Sequence, residues 1–150
     1  MTNYRTDIDA AAAAYGLDAD LVAALVEQES GYRFHAYRYE PDFYARYLAN
    51  NPAYAGREPR EVSASYGLMQ IMYPTAVDNG FTGEPWDLFA PLVSLEQGCL
   101  HLSNLLAWAH GNVRTALAAY NAGKGGANSA VGQTYARQVL SRYDRIRVLQ

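Results

Sequence analysis

The sequence contains one cysteine and only three histidines, which lie far apart along the chain: Cys99, His35, His101 and His110. A single cysteine excludes a disulfide within the chain, and no short Cys or His spacing of the kind that binds metals is present. Metal sites in proteins need several ligands that converge on one point. The sequence therefore predicts no metal site.

Basic residues are scarce as well. The chain has 12 Lys and Arg against 15 Asp and Glu, a formal net charge of −3 at pH 7, and its only lysine is Lys124. Proteins that bind nucleic acids broadly rely on many cations that neutralise phosphates. This charge balance argues against a general nucleic-acid binding protein, although it leaves a small basic patch open.

A long apolar run is also missing. The apolar stretches are interrupted by charged or polar residues, whereas a membrane-spanning helix needs about 20 predominantly apolar residues. The N-terminal residues MTNYRTDIDAAAAAYG lack the basic start and apolar core of a signal peptide. We therefore expect synthesis in the cytoplasm without an export signal, and delivery by another component if the protein acts outside the cell.

Tyrosine, in contrast, is abundant. Eight of the 13 tyrosines fall between Tyr32 and Tyr73. A tyrosine ring combines a flat apolar face with a polar hydroxyl group, which suits a sugar ring that has an apolar face and hydroxyl edges. The same composition is typical of a partly hydrated core, so both interpretations stay open at this point.

Helix-capping and helix-ending residues divide the chain into short helices, and no segment alternates as a half-buried strand does. Thr6 or Asp7 is expected to cap a first helix that ends at Gly16. Asp18 is expected to cap a second helix that ends at Gly31. Further helices are predicted at 44–50, 59–64, 74–80, 91–110, 112–123 and about 134–147, with a flexible loop over 124–133. The fold class is therefore mainly α, a single compact helical domain with at most a small β-ribbon in 32–72.

The second predicted helix carries two glutamates on opposite sides. With about 3.6 residues per turn, the leucines and valines of 21–26 share one face, Glu29 falls in the middle of it, and Glu27 falls on the solvent side. Burial and the negative end of the helix dipole both disfavour a charged carboxylate, so the pKa of Glu29 is expected to be raised. Such a carboxyl can act as a general acid. The alternative is that the last helical turn frays and Glu29 simply reaches water.

Four segments in the same order resemble the lytic transglycosylase family of the soluble-transglycosylase (SLT) type: ESGYRFHA, SYGLMQIMYPTA, ALAAYNAGKGG and TYARQVLSRY. The fold of that family is similar to goose-type lysozyme, and the resemblance extends from about Leu21 to Tyr143. It implies an α+β lysozyme-like fold, mainly α, for one transglycosylase domain over residues 1–150.

The resemblance assigns the catalytic role to the same acid as the helical pattern. In this family the glutamate of the Glu-Ser pair is the sole catalytic acid/base, which here is Glu29. Ser30 matches the serine of the pair and is expected to bond to nearby backbone and to brace the adjoining turn, unless it is an ordinary helix-end residue.

The resemblance places a tight turn, in the SYGLMQ segment, against the substrate cleft. Gly67 would permit the turn and a close approach of substrate, and Gln70 would bind an acetamido group or brace Glu29. Ser65 is expected to contact the sugar or Glu29. Met69 either packs beneath a sugar or belongs to the core.

Three further residues match later motifs of the family. The Tyr120 hydroxyl is expected to reach the acid or a sugar acetamido group, unless it is bonded within the core. Asn121 either lines the cleft or caps the helix end. Tyr135 either flanks the sugar or packs in the core.

The chain departs from the family pattern in an extended insertion at about 35–63, where family members commonly have a short link. Ser94 also stands at a position that is often Asn. The insertion contains RYEPDFY, which is similar to an Arg-x-Glu-Pro segment of phage muramidases, and this makes Glu40 a candidate second carboxylate. We expect the insertion to affect the rim of the cleft and not the catalytic helix.

The resemblance implies cleavage of peptidoglycan glycan strands to 1,6-anhydromuramoyl ends, with no metal or nucleotide cofactor. One alternative is a hydrolytic muramidase on the same fold, which would need a water and usually a second acid, with Glu40, Asp42 and Asp78 as candidates. Another is a non-catalytic wall-binding or virion structural protein. The small size and the missing export signal favour a phage-encoded protein, either an endolysin that needs a holin or a virion component, acting on cell-wall peptidoglycan. A bacterial peptidoglycan lyase is the other alternative.

Overall fold

The structure is a computed structural model, and it describes residues 3–149. Helices account for most of the described chain. They are α1 (Arg5–Ala14), α2 (Ala19–Ser30), α3 (Pro41–Phe43), α4 (Pro59–Val62), α5 (Tyr73–Asp78), α6 (Pro91–Trp108), α7 (Val113–Ala122) and α8 (Ala130–Val148). One π-helical turn, Tyr44–Leu48, and three 3-10 turns, Pro52–Tyr54, Pro85–Phe89 and Lys124–Gly126, complete the helical segments. The prediction of a mainly α fold is confirmed.

The long helices form the support for the rest of the molecule. Both α2 and α7 pack against α8, while α7 also packs against α6, and α1 lies against α2 and α6. These helices and the segments packed on them enclose a core whose largest fully buried side chains include Ile8, Val22, Leu25, Val26, Leu68, Met69, Leu88, Leu95, Leu102, Leu117 and Val139. Burial of this apolar surface is the main favourable contribution to folding.

Helix α2 begins and ends at the residues that the sequence predicted. The Asp18 side chain accepts a hydrogen bond from the backbone N–H of Asp20 at 2.9 Å, which satisfies one of the free N–H groups of the first turn. Gly31 ends the helix in the left-handed conformation, at φ 59°. These two signals fix where the last turn of α2, and therefore Glu29, lies.

Three short strands form an antiparallel sheet in the order β1 (Tyr37–Tyr39), β2 (Ala64–Tyr66) and β3 (Ile71–Met72). Ser65 is central, because it pairs with Arg38 of β1 on one side and with Met72 of β3 on the other. The predicted β-ribbon within 32–72 is confirmed. Residues 35–63, the predicted insertion, supply β1 and the short helices that follow it.

Two predicted helix starts are too late, by two or three residues for α1 and by about four for α8. Helix α1 begins after Tyr4, and neither Thr6 nor Asp7 caps it. Helix α8 begins at Ala130, because the Ser129 hydroxyl accepts a hydrogen bond from the Gly132 N–H at 3.0 Å. Most of the predicted flexible loop 124–133 is therefore a 3-10 turn followed by the first turn of α8.

Three of the eight clustered tyrosines belong to the packed interior. Tyr54, Tyr66 and Tyr73 are buried, and Tyr66 packs edge-on against Phe89 with 4.9 Å between ring centroids. The interpretation of the tyrosines as a sugar-binding surface is therefore wrong for these three. Within residues 3–149, none of the helices combines the length and the apolar character that crossing a bilayer requires.

Candidate active site

The end of α2, the sheet, α6 and α7 meet around a cleft of about 550 Å³. Glu29 comes from α2, and the other lining residues include Arg38, Glu40, Phe43, Tyr47, Ser65, Gln70, Ile71, Met72, Thr75, His101, Leu105, Ala119, Tyr120, Asn121 and Lys124. Four of the predicted substrate-binding residues, Ser65, Gln70, Tyr120 and Asn121, thus share one cleft with the predicted acid.

Glu29 is a partly buried carboxyl held by a single tyrosine. The Tyr135 hydroxyl, from α8, donates a hydrogen bond to Glu29 Oε1 at 2.5 Å. Burial raises the pKa of Glu29 to about 7, while the hydrogen bond from Tyr135 and the nearby positive charge of Arg38 act in the opposite direction. The expected direction of the shift is confirmed, and a carboxyl with this pKa exists in both protonation states near neutral pH.

The prediction that Glu27 is an ordinary solvent acid is wrong. Its carboxylate forms ion pairs with Arg142, at 2.5 Å, and with Arg145, both from α8. Its own burial opposes ionisation, but the two arginines more than compensate and hold the pKa of Glu27 below its usual value. The helical pattern placed Glu27 opposite the apolar face correctly, yet it contained no information about α8, which covers that side.

Ser30 joins the end of α2 to the turn at 67–70. Its hydroxyl is buried and donates to the Leu68 carbonyl oxygen at 2.8 Å, with the Val26 carbonyl at 3.1 Å. The expectation that this serine braces the turn is confirmed. The bond ties the position of Glu29 to the turn that carries Gln70.

The structure bears out the turn at Gly67 and the core alternative for Met69. Gly67 has φ 76°, as the turn requires, and an added Cβ would lie 2.6 Å from the Leu88 carbonyl oxygen and 3.0 Å from the Ser94 hydroxyl. The Met69 side chain is fully buried and packs against Gly98 of α6. Neither residue lines the cleft, so both act in holding the turn.

Gln70 and Tyr120 are bonded to the same turn. The Gln70 amide nitrogen donates to the carbonyl oxygens of Ala36 and Gly67 at 3.0 and 3.1 Å, so only its carbonyl oxygen is left for a substrate. The Tyr120 hydroxyl donates to the Met69 carbonyl oxygen at 2.7 Å. Within the described residues, neither side chain forms a hydrogen bond with Glu29. The side chain that does so is Tyr135.

Asn121 and Tyr135 lie on the α8 side of the site. Asn121 is within α7, so it does not cap that helix, and it is exposed between the cleft and a second depression of about 380 Å³. Tyr135 is buried, with 7% of its surface exposed. Tyr135 is therefore a core residue that also contacts Glu29, the predicted acid.

Residues from the segment 35–63 form one wall of the cleft. Glu40 lines the cleft and forms an ion pair with Arg38, at 3.1 Å between Oε1 and Nε. Phe43 and Tyr47 follow on the same wall, with 4.7 Å between their ring centroids. Sequence reasoning expected a changed rim, but it did not identify Arg38, Phe43 or Tyr47 as cleft residues.

Two residues on the opposite wall also escaped the sequence analysis. His101 of α6 lines the cleft, and burial together with the charge of Lys124 lowers its pKa to about 4. Lys124, which follows α7, lines the cleft too and lies over the Trp108 ring at 5.6 Å from its centroid. From the sequence, His101 is of interest only as a possible metal ligand. It reaches the cleft because α6 packs on α7.

Comparison with known proteins identifies the family. A family model described as the transglycosylase SLT domain matches residues 7–141. Because this match covers most of the chain, the protein belongs to the transglycosylase SLT domain family, and the predicted family is confirmed.

Two solved structures share the fold. An X-ray structure of an inactive mutant of lytic transglycosylase Slt from Pseudomonas aeruginosa has a TM-score of 0.73 at 20% identity over 97% of this chain. The 70 kDa soluble lytic transglycosylase SLT70 from Escherichia coli gives a TM-score of 0.73 at 19% identity, also over 97% of this chain. The chain spans 24% of the length of each of these proteins. At this identity the likeness concerns the fold, and it confirms the lysozyme-like class.

Proposed function

We propose that this domain is a peptidoglycan lytic transglycosylase. It cleaves the β-1,4 bond between N-acetylmuramic acid and N-acetylglucosamine without adding water and leaves 1,6-anhydro-N-acetylmuramic acid ends. The observation that carries the proposal is the environment of Glu29. This partly buried carboxyl lines the cleft, and its pKa is raised to about 7. Membership of the SLT family supports peptidoglycan as the substrate.

In the first step Glu29 acts as a general acid. Its proton passes to the glycosidic oxygen, the bond from that oxygen to C1 of the muramoyl sugar breaks, and the N-acetylglucosamine leaves with a free hydroxyl. The acetamido carbonyl oxygen of the muramoyl sugar bonds to C1, so that no second carboxylate is required. Partial burial supports this step because it keeps a fraction of Glu29 protonated near pH 7.

In the second step the ionised Glu29 acts as a general base. It takes the proton of the muramoyl 6-hydroxyl, O6 bonds to C1, and the acetamido oxygen is released. The Tyr135 hydrogen bond and the charge of Arg38 support this step, since both favour the ionised carboxylate. At the end Glu29 is protonated again and no water has been consumed.

The position of Glu40 favours a second candidate, a hydrolytic muramidase on the same fold. Glu40 lines the same cleft as Glu29, and a second carboxylate could activate a water. Its ion pair with Arg38 argues for a structural role in the wall. Asp42 and Asp78, the other candidates, do not line this cleft within the described residues.

Mass spectrometry of the soluble products from digested sacculi separates the two reactions, because a hydrolase adds a water that the cyclisation omits. We expect anhydromuropeptides as the main products. Glu29→Gln should abolish solubilisation while the circular dichroism spectrum stays native, and Glu96→Gln, an exposed glutamate on α6, serves as the matched control. Solubilisation by Glu29→Gln at the wild-type rate would show that Glu29 is not the catalytic acid, whereas a wild type that releases no products would favour a non-catalytic wall protein.

The proposed place of action is cell-wall peptidoglycan. We propose that the domain reaches it either as an endolysin released with the help of a holin or as part of a virion. Immunoblotting of purified particles and of lysates distinguishes these routes, since only a virion component remains associated with the particles.

A further inference from the structure

His101 is a partly buried imidazole in the wall of the cleft, and the proposed chemistry does not use it. Its Nδ1 lies 3.3 Å from Nδ2 of Asn79. The Asn79 carbonyl oxygen in turn accepts a hydrogen bond from Nδ2 of Asn104 at 3.3 Å. The two asparagines thus form a short chain that ends on one nitrogen of the ring.

This chain determines which ring nitrogen carries the proton. The Asn79 amide nitrogen is a donor only, so Nδ1 of His101 must accept. The ring is neutral near pH 7, because burial and the charge of Lys124 lower its pKa. In a neutral imidazole the other nitrogen then carries the hydrogen. Nε2–H is therefore a neutral donor, and it has no acceptor within residues 3–149.

Part of the wall beside His101 is apolar, although Lys124 also lines the cleft. Leu105 and Ala119 line the same cleft and are almost completely buried, at 3% and 2% exposure. The Tyr120 ring lies 5.4 Å from the imidazole, centroid to centroid. A neutral N–H donor next to aliphatic and aromatic surface matches a small group that has one carbonyl oxygen and one methyl group.

We propose that His101 positions the substrate by donating a hydrogen bond from Nε2–H to the carbonyl oxygen of a sugar N-acetyl group, whose methyl group packs against Leu105 and Ala119. The inference rests on the proposed function, because it places an amino-sugar strand in the same cleft. It makes His101 a specificity-determining residue that selects N-acetylated glycan and takes no part in proton transfer.

The tautomer is tested first. In ¹⁵N-labelled protein at pH 7, the ring signals of His101 should show a protonated Nε2 and an unprotonated Nδ1. Addition of triacetylchitotriose should shift the Nε2 signal, whereas the signals of the exposed His35 should stay in place. A ring protonated on Nδ1, or a Nε2 signal that does not respond to saturating ligand, would overturn the proposal.

Binding of triacetylchitotriose, measured by calorimetry, tests the role in recognition. His101→Leu should bind about tenfold more weakly, and His101→Gln, which keeps an N–H donor, should restore most of the affinity. His35→Leu is the matched control and should bind as the wild type does. Equal affinities of the wild type and His101→Leu would contradict the inference.

Cellotriose, which has no acetamido group, tests the specificity. The wild type should bind cellotriose more weakly than it binds triacetylchitotriose. The affinity for cellotriose should be the same in the wild type and in His101→Leu. A wild type that prefers cellotriose would overturn the proposal. These measurements involve no bond cleavage. Failure of the lyase proposal, seen as hydrolytic products or an active Glu29→Gln, is therefore distinguishable from failure of this inference.

Discussion

The Tyr135 hydroxyl lies 2.5 Å from Glu29 Oε1, although the two residues are 106 positions apart in the chain. Helix α8 brings the tyrosine across the end of α2, where burial has already raised the pKa of the carboxyl. The tyrosine limits this rise because its hydrogen bond favours the ionised form. The two opposing effects leave a group with a pKa of about 7, suited to give and to take a proton in turn.

Tyr135→Phe should move the pH profile of wall digestion. Without the hydroxyl, ionised Glu29 loses a donor, so the pKa of Glu29 rises above about 7. Activity that requires the protonated acid is lost as the pH rises through this pKa, and the basic limb of kcat/KM should therefore shift to higher pH. The profile is measured by turbidity loss of sacculi between about pH 5 and 9.

The matched control for this change is Tyr143→Phe. Tyr143 lies on the same helix and donates to the Asp18 carboxylate, away from the cleft. Its removal should leave both limbs of the profile in place. An unmoved basic limb in Tyr135→Phe would show that the hydrogen bond does not tune Glu29.

Glu29→Gln should stabilise the fold at high pH while it abolishes activity. The folded-state pKa of about 7 lies above the ordinary value of 4.5, so the folded protein binds more protons than the unfolded chain between these values. Stability therefore falls as the pH rises through this window. At pH 8 the free energy of unfolding of Glu29→Gln should exceed that of the wild type by about 1–3 kcal/mol. At pH 4 the two proteins should be almost equally stable.

Urea unfolding at both pH values checks this expectation. Glu27→Gln supplies the contrast, because the arginine partners lower the pKa of Glu27, and this substitution should destabilise the fold at pH 8. A loss of stability in Glu29→Gln at pH 8 would mean that the carboxylate is well solvated in the folded protein.

Ser30→Ala should loosen the connection between α2 and the turn at 67–70. The substitution leaves the buried Leu68 carbonyl without its donor at 2.8 Å, and an unsatisfied buried group costs about 1–3 kcal/mol. Ser141→Ala, an exposed serine on α8, should change stability by less than about 0.5 kcal/mol. Thermal unfolding of the two variants tests this expectation. Equal melting temperatures would show that the Ser30 hydrogen bond does not stabilise the turn.

Gly98→Ala should disturb the same turn from the other side. An added Cβ would meet Met69 Sδ at 2.3 Å and Met69 Cβ at 2.6 Å, so the methionine or the helix has to shift. Overpacking of this kind costs about 1–3 kcal/mol. Gly125→Ala has no atom within 4 Å of the added Cβ and is the control. Urea midpoints that agree between the two variants would argue against a tight contact here.

The parts of the site that depend on one helix were predictable from the sequence. The period of α2 placed Glu29 on its apolar side, and Asp18 and Gly31 marked the ends of that helix because capping is local chemistry. The family motifs then brought Ser65 and Gln70 to the same cleft as Glu29. Local periodicity and ordered motifs carried this information.

The remaining parts depend on contacts between elements that are distant in sequence. The arginines that cover Glu27 belong to α8, and the close neighbours of Gly67 belong to the segment before α6 and to α6 itself. His101 reaches the cleft only because α6 packs beside α7. No single-helix pattern contains these relationships, so the sequence analysis assigned those residues to solvent, to substrate or to no site.

The central claim, a single acid kept partly protonated by burial, is tested most directly by NMR titration of the Glu29 carboxyl carbon in selectively labelled protein. The account predicts a midpoint near pH 7, with no comparable titration in the spectrum of Glu29→Gln. A midpoint near 4.5, the ordinary value for a glutamate, would contradict the account.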